Sequence, residues 1–238
     1  MIIVNLKGGL GNQMFQFATG YCLSRRNNTN LLFDTRLMEE NKINPPPRNP
    51  PRDFDLGIFG IKKKTATNKD LIKVLQFSKN YKIRKLISSI LDFFNVFVFI
   101  QRNSLLDKRI RKFKKNKLYL DGHWQIEDYF IDYRDELLKI FNFDSLKNIE
   151  RNISLIKRIS PTSSICVNVR RTDFINNPEH NVIDIEYYKK AINKFKEIKG
   201  DNLEIFIFSD DLDWCKKNFS FFKKTNFIEH DQAGDKFY

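Results

Sequence analysis

The sequence predicts an α/β chain of two Rossmann-like halves, each built on a parallel sheet. Two stretches and the break between them lead there. The chain opens with a short β-branched run, a glycine-rich turn, an amphipathic helical pattern and a second apolar run. Beyond Pro161, strand-like and helix-like segments alternate again, and that alternation implies a parallel sheet with helices on its faces. The boundary falls near residues 145–160, giving an expected first domain over 1–155 and a second over 156–238. With 238 residues, 41% hydrophobic and 14% aromatic, the chain can bury one large core or two modest ones.

Taken in order, residues 2–6 read as a short buried strand. Gly8, Gly9 and Gly11 follow. Met14, Phe17, Ala18, Tyr21 and Cys22 then recur at spacings of three and four, so they share one helical face, with Asn12 at the expected N-cap. Residues 31–34 are a second strand. Five of the seven prolines lie between Pro45 and Pro51, which makes that stretch a surface loop. Residues 62–117 are basic and loosely patterned, with eight cations and one acid between Arg102 and Lys117. The apolar run 90–100 is shorter than the ~18 residues of a membrane span and is interrupted by Asp92 and Asn95. It reads as a buried helix or strand pair, or as a peripheral contact with an anionic bilayer. Residues 119–125 run from a strand into a turn, and 128–141 carry the spacing of an amphipathic helix. After Pro161 come a strand at 164–169, a helix at 185–198, a strand at 203–208 and a helix at 212–218.

The charge balance is 42 basic against 29 acidic residues, a formal +13. It favours anionic partners, and it is also what an AT-biased composition rich in Lys, Asn, Ile and Phe produces. Cys22, Cys166 and Cys215 are odd in number and far apart, as are His123, His180 and His230. That spacing argues against a disulfide framework or a zinc site, so a reducing compartment and no structural metal are expected. The first residues lack the basic and long apolar regions of a signal peptide.

Three constellations can carry chemistry. The turn Gly8-Gly9-Leu10-Gly11-Asn12-Gln13 lets backbone approach a ligand and places a helix N-terminus beside it. It is neither a dinucleotide fingerprint nor a Walker A loop. Asn168, Arg170, Arg171 and Asp173 lie at the carboxyl end of a predicted strand, where ligands of open α/β sheets bind. Adjacent guanidiniums there suit a pyrophosphate, and Asp173 can hold one of them in place. Ser209, Asp210 and Asp211 close a second strand. The carboxylates can accept from ribose or a base edge or hold Mg²⁺, and Ser209 or Asp210 can equally cap the helix that follows.

In this order, these motifs resemble the bacterial α-1,2-fucosyltransferases of glycosyltransferase family 11. Gly8-Gly-Leu-Gly-Asn-Gln-Met-Phe-Gln-Phe-Ala18 is similar to the family's opening, and Gly122-His-Trp-Gln-Ile-Glu-Asp-Tyr-Phe130 to its glycine-aromatic-glutamine segment. Val167-Asn-Val-Arg-Arg-Thr-Asp173 resembles the His-x-Arg-Arg-x-Asp motif shared by α-1,2-, α-1,6- and protein O-fucosyltransferases, with Asn168 in place of the histidine. Asparagine hydrogen-bonds but does not titrate.

The resemblance implies a GT-B-like fold, an acceptor-side first domain and a GDP-fucose-binding second domain. It implies an inverting transfer of fucose from GDP-β-L-fucose to the 2-hydroxyl of a galactose-containing surface glycan, such as O-antigen or a lipid-linked precursor. Arg170, Arg171 and Asp173 are the implied catalytic residues. Gly9, Gly11, Asn12, Gln13, Asn168, Ser209, Asp210 and Asp211 are the implied donor-binding residues. No cofactor or metal is implied beyond the GDP-fucose donor. The implied setting is cytoplasmic, peripheral on the inner membrane face, without nucleic acid. Family members continue past this chain's last residue, so the second half is expected to be incomplete. An inactive truncated remnant and a basic nucleic-acid-binding protein are the alternative readings, although no nucleic-acid reader motif is present.

Overall fold

The computed structural model describes residues 1–46, 51–75, 98–101, 105–144, 150–172, 174–175 and 182–229. Expectations about Asp173 and about most of the apolar run 90–100 fall outside them. The fold is mixed α/β with parallel sheets, and the chain forms two compact units, Met1–Ser145 and Leu146–Tyr238.

The first unit contains β1 (Ile2–Asn5), α1 (Leu10–Arg26), β2 (Leu31–Asp34), α2 (Arg36–Ile43), α3 (Asn68–Leu75), β3 (Val98–Ile100), α4 (Lys108–Lys112), β4 (Leu118–Asp121) and α5 (Arg134–Ile140). Its strands lie in the order β2-β1-β4-β3, all parallel. All four residues of β1 are buried. Ile2 and Val4 pack with Phe17 and Leu23 of α1 on one face. Ile3 packs with Leu71 and Val74 of α3 and with Tyr119 on the other. A strand covered on both faces is written as a continuous apolar run rather than an alternation, and residues 2–4 are such a run. Each fully buried aliphatic side chain contributes about 1.5–3 kcal/mol.

Helix α1 starts at Leu10, with Gly9 as an N-cap that makes no side-chain bond. Asn12, expected at the cap, therefore lies in the first turn instead. Its side chain folds over Gly8, whose φ is +77°, and a β-carbon at Gly8 would overlap the Asn12 amide. Glycine is needed there for both reasons.

The helix expected over 128–141 is broken. Two 3₁₀ turns, Glu127–Tyr129 and Ile131–Tyr133, precede α5. Tyr129 is the cause. It is fully buried, sits edge-on to Trp124 with centroids 5.8 Å apart, and accepts the Asp107 amide on its hydroxyl at 2.7 Å. Reaching that position leaves Phe130 at φ −137°, outside the helical region.

The second unit contains α6 (Glu150–Ile159), β5 (Ser164–Val169), α7 (Ile185–Lys199), β6 (Glu204–Ser209), α8 (Leu212–Phe219) and β7 (Thr225–Ile228). Its strands run parallel in the order β5-β6-β7. Val167, Val169, Ile205 and Ile207 face Tyr188 and Ile192 of α7 and Cys215 and Phe219 of α8. Strand β7 had no counterpart in the sequence reading, because Thr-Asn-Phe-Ile offers only two apolar residues. Helix α6 belongs to this unit: Arg158 donates to Asn226 at 2.7 Å and lies 5.8 Å over the Phe206 ring. The two units divide between Ser145 and Leu146, ahead of α6. No helix among the described residues is long and apolar enough to cross a membrane.

Replacing Tyr129 by Phe keeps the ring and orphans the Asp107 amide. The expected cost is about 1–3 kcal/mol, read as a lower urea midpoint with an unchanged slope.

Candidate functional site

In the first unit, β1 connects to β2 on one side while β4 lies on its other side. The carboxyl ends of β1 and β4 therefore form a topological switch point, the usual ligand crevice of an open parallel sheet. The side chains gathered there are polar and buried. Asn5 donates to Asp121 Oδ1 at 3.0 Å, and Lys7 Nζ reaches the same oxygen at 3.0 Å. Asp121 is 2% exposed, and its Oδ2 has no hydrogen-bond partner among the described residues. The Lys7 ammonium offsets this buried carboxylate, which would otherwise be costly. His123 follows two residues later with its pKa lowered, by partial loss of hydration and by Lys7 beside it.

Two buried glutamines of α1 hold the glycine turn. Gln13 Nε2 donates to the carbonyls of Gly8 at 3.0 Å and Asp53 at 2.8 Å, and its Oε1 accepts the Asp55 amide at 2.9 Å. Gln16 pairs with both backbone groups of Lys7, at 3.1 and 3.0 Å. Gln13 is fully buried with both amide hydrogens used, so it is a brace of the turn and not a ligand-facing residue as expected. Asn12 does lie at the turn's surface side, where its Oδ1 accepts from Gln125 Nε2 at 2.7 Å. Gly9 and Gly11 have open space where a β-carbon would stand, and neither has a positive φ. The packing of the described residues therefore does not demand glycine at either position.

At the end of β2, Asp34 takes a two-pronged bond from Arg36 at 2.8 and 2.7 Å and the Tyr119 hydroxyl at 2.7 Å. Burial pushes its carboxyl up, but these donors outweigh burial and hold it below the usual range.

In the second unit, the register pairs Val169 with Ser209, so the residues following β5 and β6 lie side by side. Asp210 accepts the amides of Arg171 at 2.8 Å and Thr172 at 3.1 Å, and the Thr172 hydroxyl at 2.6 Å. Asp211 accepts the Trp214 amide at 3.1 Å, capping α8, and Arg171 Nε at 3.1 Å. The Ser209 hydroxyl accepts the Asp211 amide at 2.9 Å. The Arg171 guanidinium lies 4.0 Å from the Trp214 ring centroid, a cation–π distance. Arg170 is exposed and lies 4.6 Å over Phe174. Asn168 is also exposed, on β5.

The expected residues thus fall into two groups. Asn168, Arg170, Arg171, Ser209, Asp210 and Asp211 come together at one sheet end of the second unit. Gly9, Gly11, Asn12 and Gln13 share the turn of the first. Asp173 is outside the described residues. The Asp210 and Asp211 oxygens hold the Arg171–Thr172 segment, and the helix cap is Asp211 where Ser209 or Asp210 was expected. Sequence reasoning passed over Asn5, Lys7, Gln16, Asp121 and Trp214. The available signal was polar residues, Gln13 and Gln16, sitting one turn apart beside the apolar face of α1.

Comparison with known proteins agrees with this architecture. Residues 62–237 match the family model described as Glycosyl transferase family 11. The chain belongs to glycosyltransferase family 11. An alpha-1,2-colitosyltransferase of Escherichia coli is 30% identical to this family 11 enzyme over 223 residues, covering 91% of this chain and 71% of its own. The O-antigen biosynthesis glycosyltransferase WbnK of Escherichia coli is 28% identical over 235 residues, covering 90% and 74%. Among solved structures, the fucosyltransferase NodZ from Bradyrhizobium shares the fold at a TM-score of 0.50 and 13% identity, covering 96% of this chain and 78% of its own.

Asp34 ties pH to stability. Its folded pKa is lowered, so its contribution is complete above the unfolded value of ~3.9 and is lost as pH falls through the folded value. Urea midpoints followed from pH 6 downward should fall in this acid range, and Asp34→Asn should flatten that limb.

Proposed function

We propose that this family 11 enzyme transfers fucose from GDP-β-L-fucose to the 2-hydroxyl of a galactose in an O-antigen-type surface glycan. The arrangement proposed is GT-B-like, with the first unit on the acceptor side and the second on the donor side. The observation that carries the reading is Arg171. Its Nε is fixed by Asp211, its guanidinium carbon lies 4.0 Å over the Trp214 ring, and its backbone is clamped by Asp210. Its two terminal nitrogens have no hydrogen-bond partner among the described residues. A guanidinium held this way offers a forked pair of donors to a pyrophosphate with little reorganisation. NodZ, described as an alpha-1,6-fucosyltransferase, has been solved after soaking with GDP-fucose, which supports the donor class. WbnK supports the acceptor setting through its printed role in O-antigen biosynthesis.

In the proposed reaction the acceptor oxygen bonds to the anomeric carbon of fucose as the bond from that carbon to the phosphate oxygen breaks. GDP leaves with the electron pair, the acceptor hydroxyl proton passes to a base, and the anomeric configuration inverts. Negative charge grows on the diphosphate, where preorganised cations act best in the transition state. Arg170 and Arg171 take that role, without a metal. The open positions at Gly9 and Gly11, beside the N-terminus of α1, leave room for a sugar-diphosphate to approach backbone. The reading includes peripheral contact with an anionic membrane face. A second reading has the same chemistry with a colitosyl donor, favoured by the colitosyltransferase relative; competition between the two nucleotide sugars separates them.

GDP and GDP-fucose should raise the thermal midpoint in a saturable way. Arg171→Ala should weaken that response by roughly 100-fold in ligand concentration, equivalent to about 3 kcal/mol. An unchanged response in the variant would remove the arginine from the donor site. Gly11→Ala should leave the free protein equally or more stable, by up to about 1 kcal/mol. It should nonetheless weaken GDP-fucose binding, as titration calorimetry would read.

A further inference from the structure

The basic stretch of the first unit does not stand alone. In a parallel sheet the helix after each strand returns to the opposite edge, so the end of α1 and the residues leading into β4 meet at the amino-terminal edge. The bonds there are specific. Arg26 donates to the Arg111 carbonyl at 2.9 Å and Asn27 to the Phe113 carbonyl at 3.4 Å. The Thr29 hydroxyl and the Met1 amine both donate to the Asn116 carbonyl. These contacts bring the end of α1, with Arg25 and Arg26, beside the segment 108–117, which carries seven cations.

Few carboxylates answer them. Asp107 is committed to Arg109, Asp132 is shared by Arg26 and Arg111 at 3.3 and 3.8 Å, and Glu136 lies 3.7 Å from Arg25. Among the described residues, these three acids answer Arg25, Arg26, Arg109 and Arg111, and the segment 108–117 carries seven cations and no acid of its own. Lys108, Lys112, Lys114 and Lys117 are all exposed. Leu105, two residues before the N-cap of α4, is 71% exposed in the same segment.

We propose that this amino-edge face is the surface by which the first unit docks on an anionic lipid bilayer. It turns the general expectation of membrane contact into an assigned surface, and it stands whether or not the donor reading holds. Charge complementarity supplies the attraction, and clusters of four to eight cations suffice for it. Leu105 supplies an apolar group that can enter the headgroup layer. A nucleic acid fits less well. The aromatic rings of this face, Phe99 and Phe113, are buried and offer no stacking platform. Helix α4 has five residues, too few to fill a groove. Because the glycine turn and the Asn5–Lys7–Asp121 cluster lie at the opposite, carboxyl edge of the same sheet, docking leaves them uncovered.

The test is flotation of the full chain with phosphatidylcholine vesicles, with and without about a third phosphatidylglycerol. Binding should require the anionic lipid at ~0.1 M salt and vanish near ~1 M, where the Debye length shrinks to ~3 Å. Each neutralised cation should weaken partitioning about fivefold, so Lys108, Lys112, Lys114 and Lys117 changed together to Gln should weaken it by at least about 100-fold. Lys190, Lys199, Lys217 and Lys223 changed together to Gln remove the same charge from the second unit and should weaken it far less. Equal losses in the two variants, or no binding of the unaltered chain to anionic vesicles, overturn the proposal. In the unaltered chain, vesicles should also protect Lys108–Lys117 from acetylation. Tighter binding to a short DNA duplex than to vesicles, with these lysines protected, assigns the face to nucleic acid and overturns it as well. A GDP-induced thermal shift that survives in the first variant keeps failure here distinct from failure of the donor reading.

Discussion

Where a parallel strand stops, its last amides and carbonyls lose their ladder partners, and a buried one left unmatched costs about as much as a lost hydrogen bond. Both units solve this at the carboxyl edge with side chains. In the first, the Gln13 and Gln16 amides complete the backbone of Lys7, Gly8 and the Asp53–Asp55 loop. In the second, the Asp210 carboxylate completes the amides of Arg171 and Thr172. The glycine turn and Arg171, both proposed to meet the donor, are attached to backbone that these side chains fix. The glycine turn is as rigid as Gln13 and Gln16 make it, and Arg171 is as well aimed as Asp210 and Asp211 allow.

The same constraint explains how charge is distributed. At the carboxyl edges, cations are tied individually: Lys7 to Asp121, Arg36 to Asp34, Arg171 to Asp211. Such pairs place a charge with ångström accuracy at some cost in desolvation. At the amino edge of the first sheet the lysines of the segment 108–117 are crowded and exposed. That pattern cannot position a single small ligand, but it makes a broad positive field.

Strands β1, β2 and β5 were legible because a buried parallel strand is a short run of apolar and β-branched residues, and helices α1, α7 and α8 because their apolar spacing is regular. The segment at 128–141 was misread because one buried tyrosine with a polar anchor outweighed periodicity. Strand β7 was too short and too polar to see. The place of Arg170 and Arg171 at the end of β5 was legible from the apolar run before them. The roles of Gln13, Asp210 and Asp211 were not, because a side chain that braces backbone and one that meets a ligand have the same composition. Only the location of the partner atoms separates them, and that is set by residues 40 or so positions away, such as Asp55 for Gln13 and Arg171 for Asp211.

The chain has two tryptophans, and the fold gives one to each unit. Trp124 is enclosed in the first core with its indole nitrogen lacking an acceptor among the described residues, while Trp214 lies beneath the Arg171 guanidinium. Nature has thereby installed two optical reporters with different surroundings. Emission from the first reports the integrity of one core, and emission from the second reports whether a single cation is in its place.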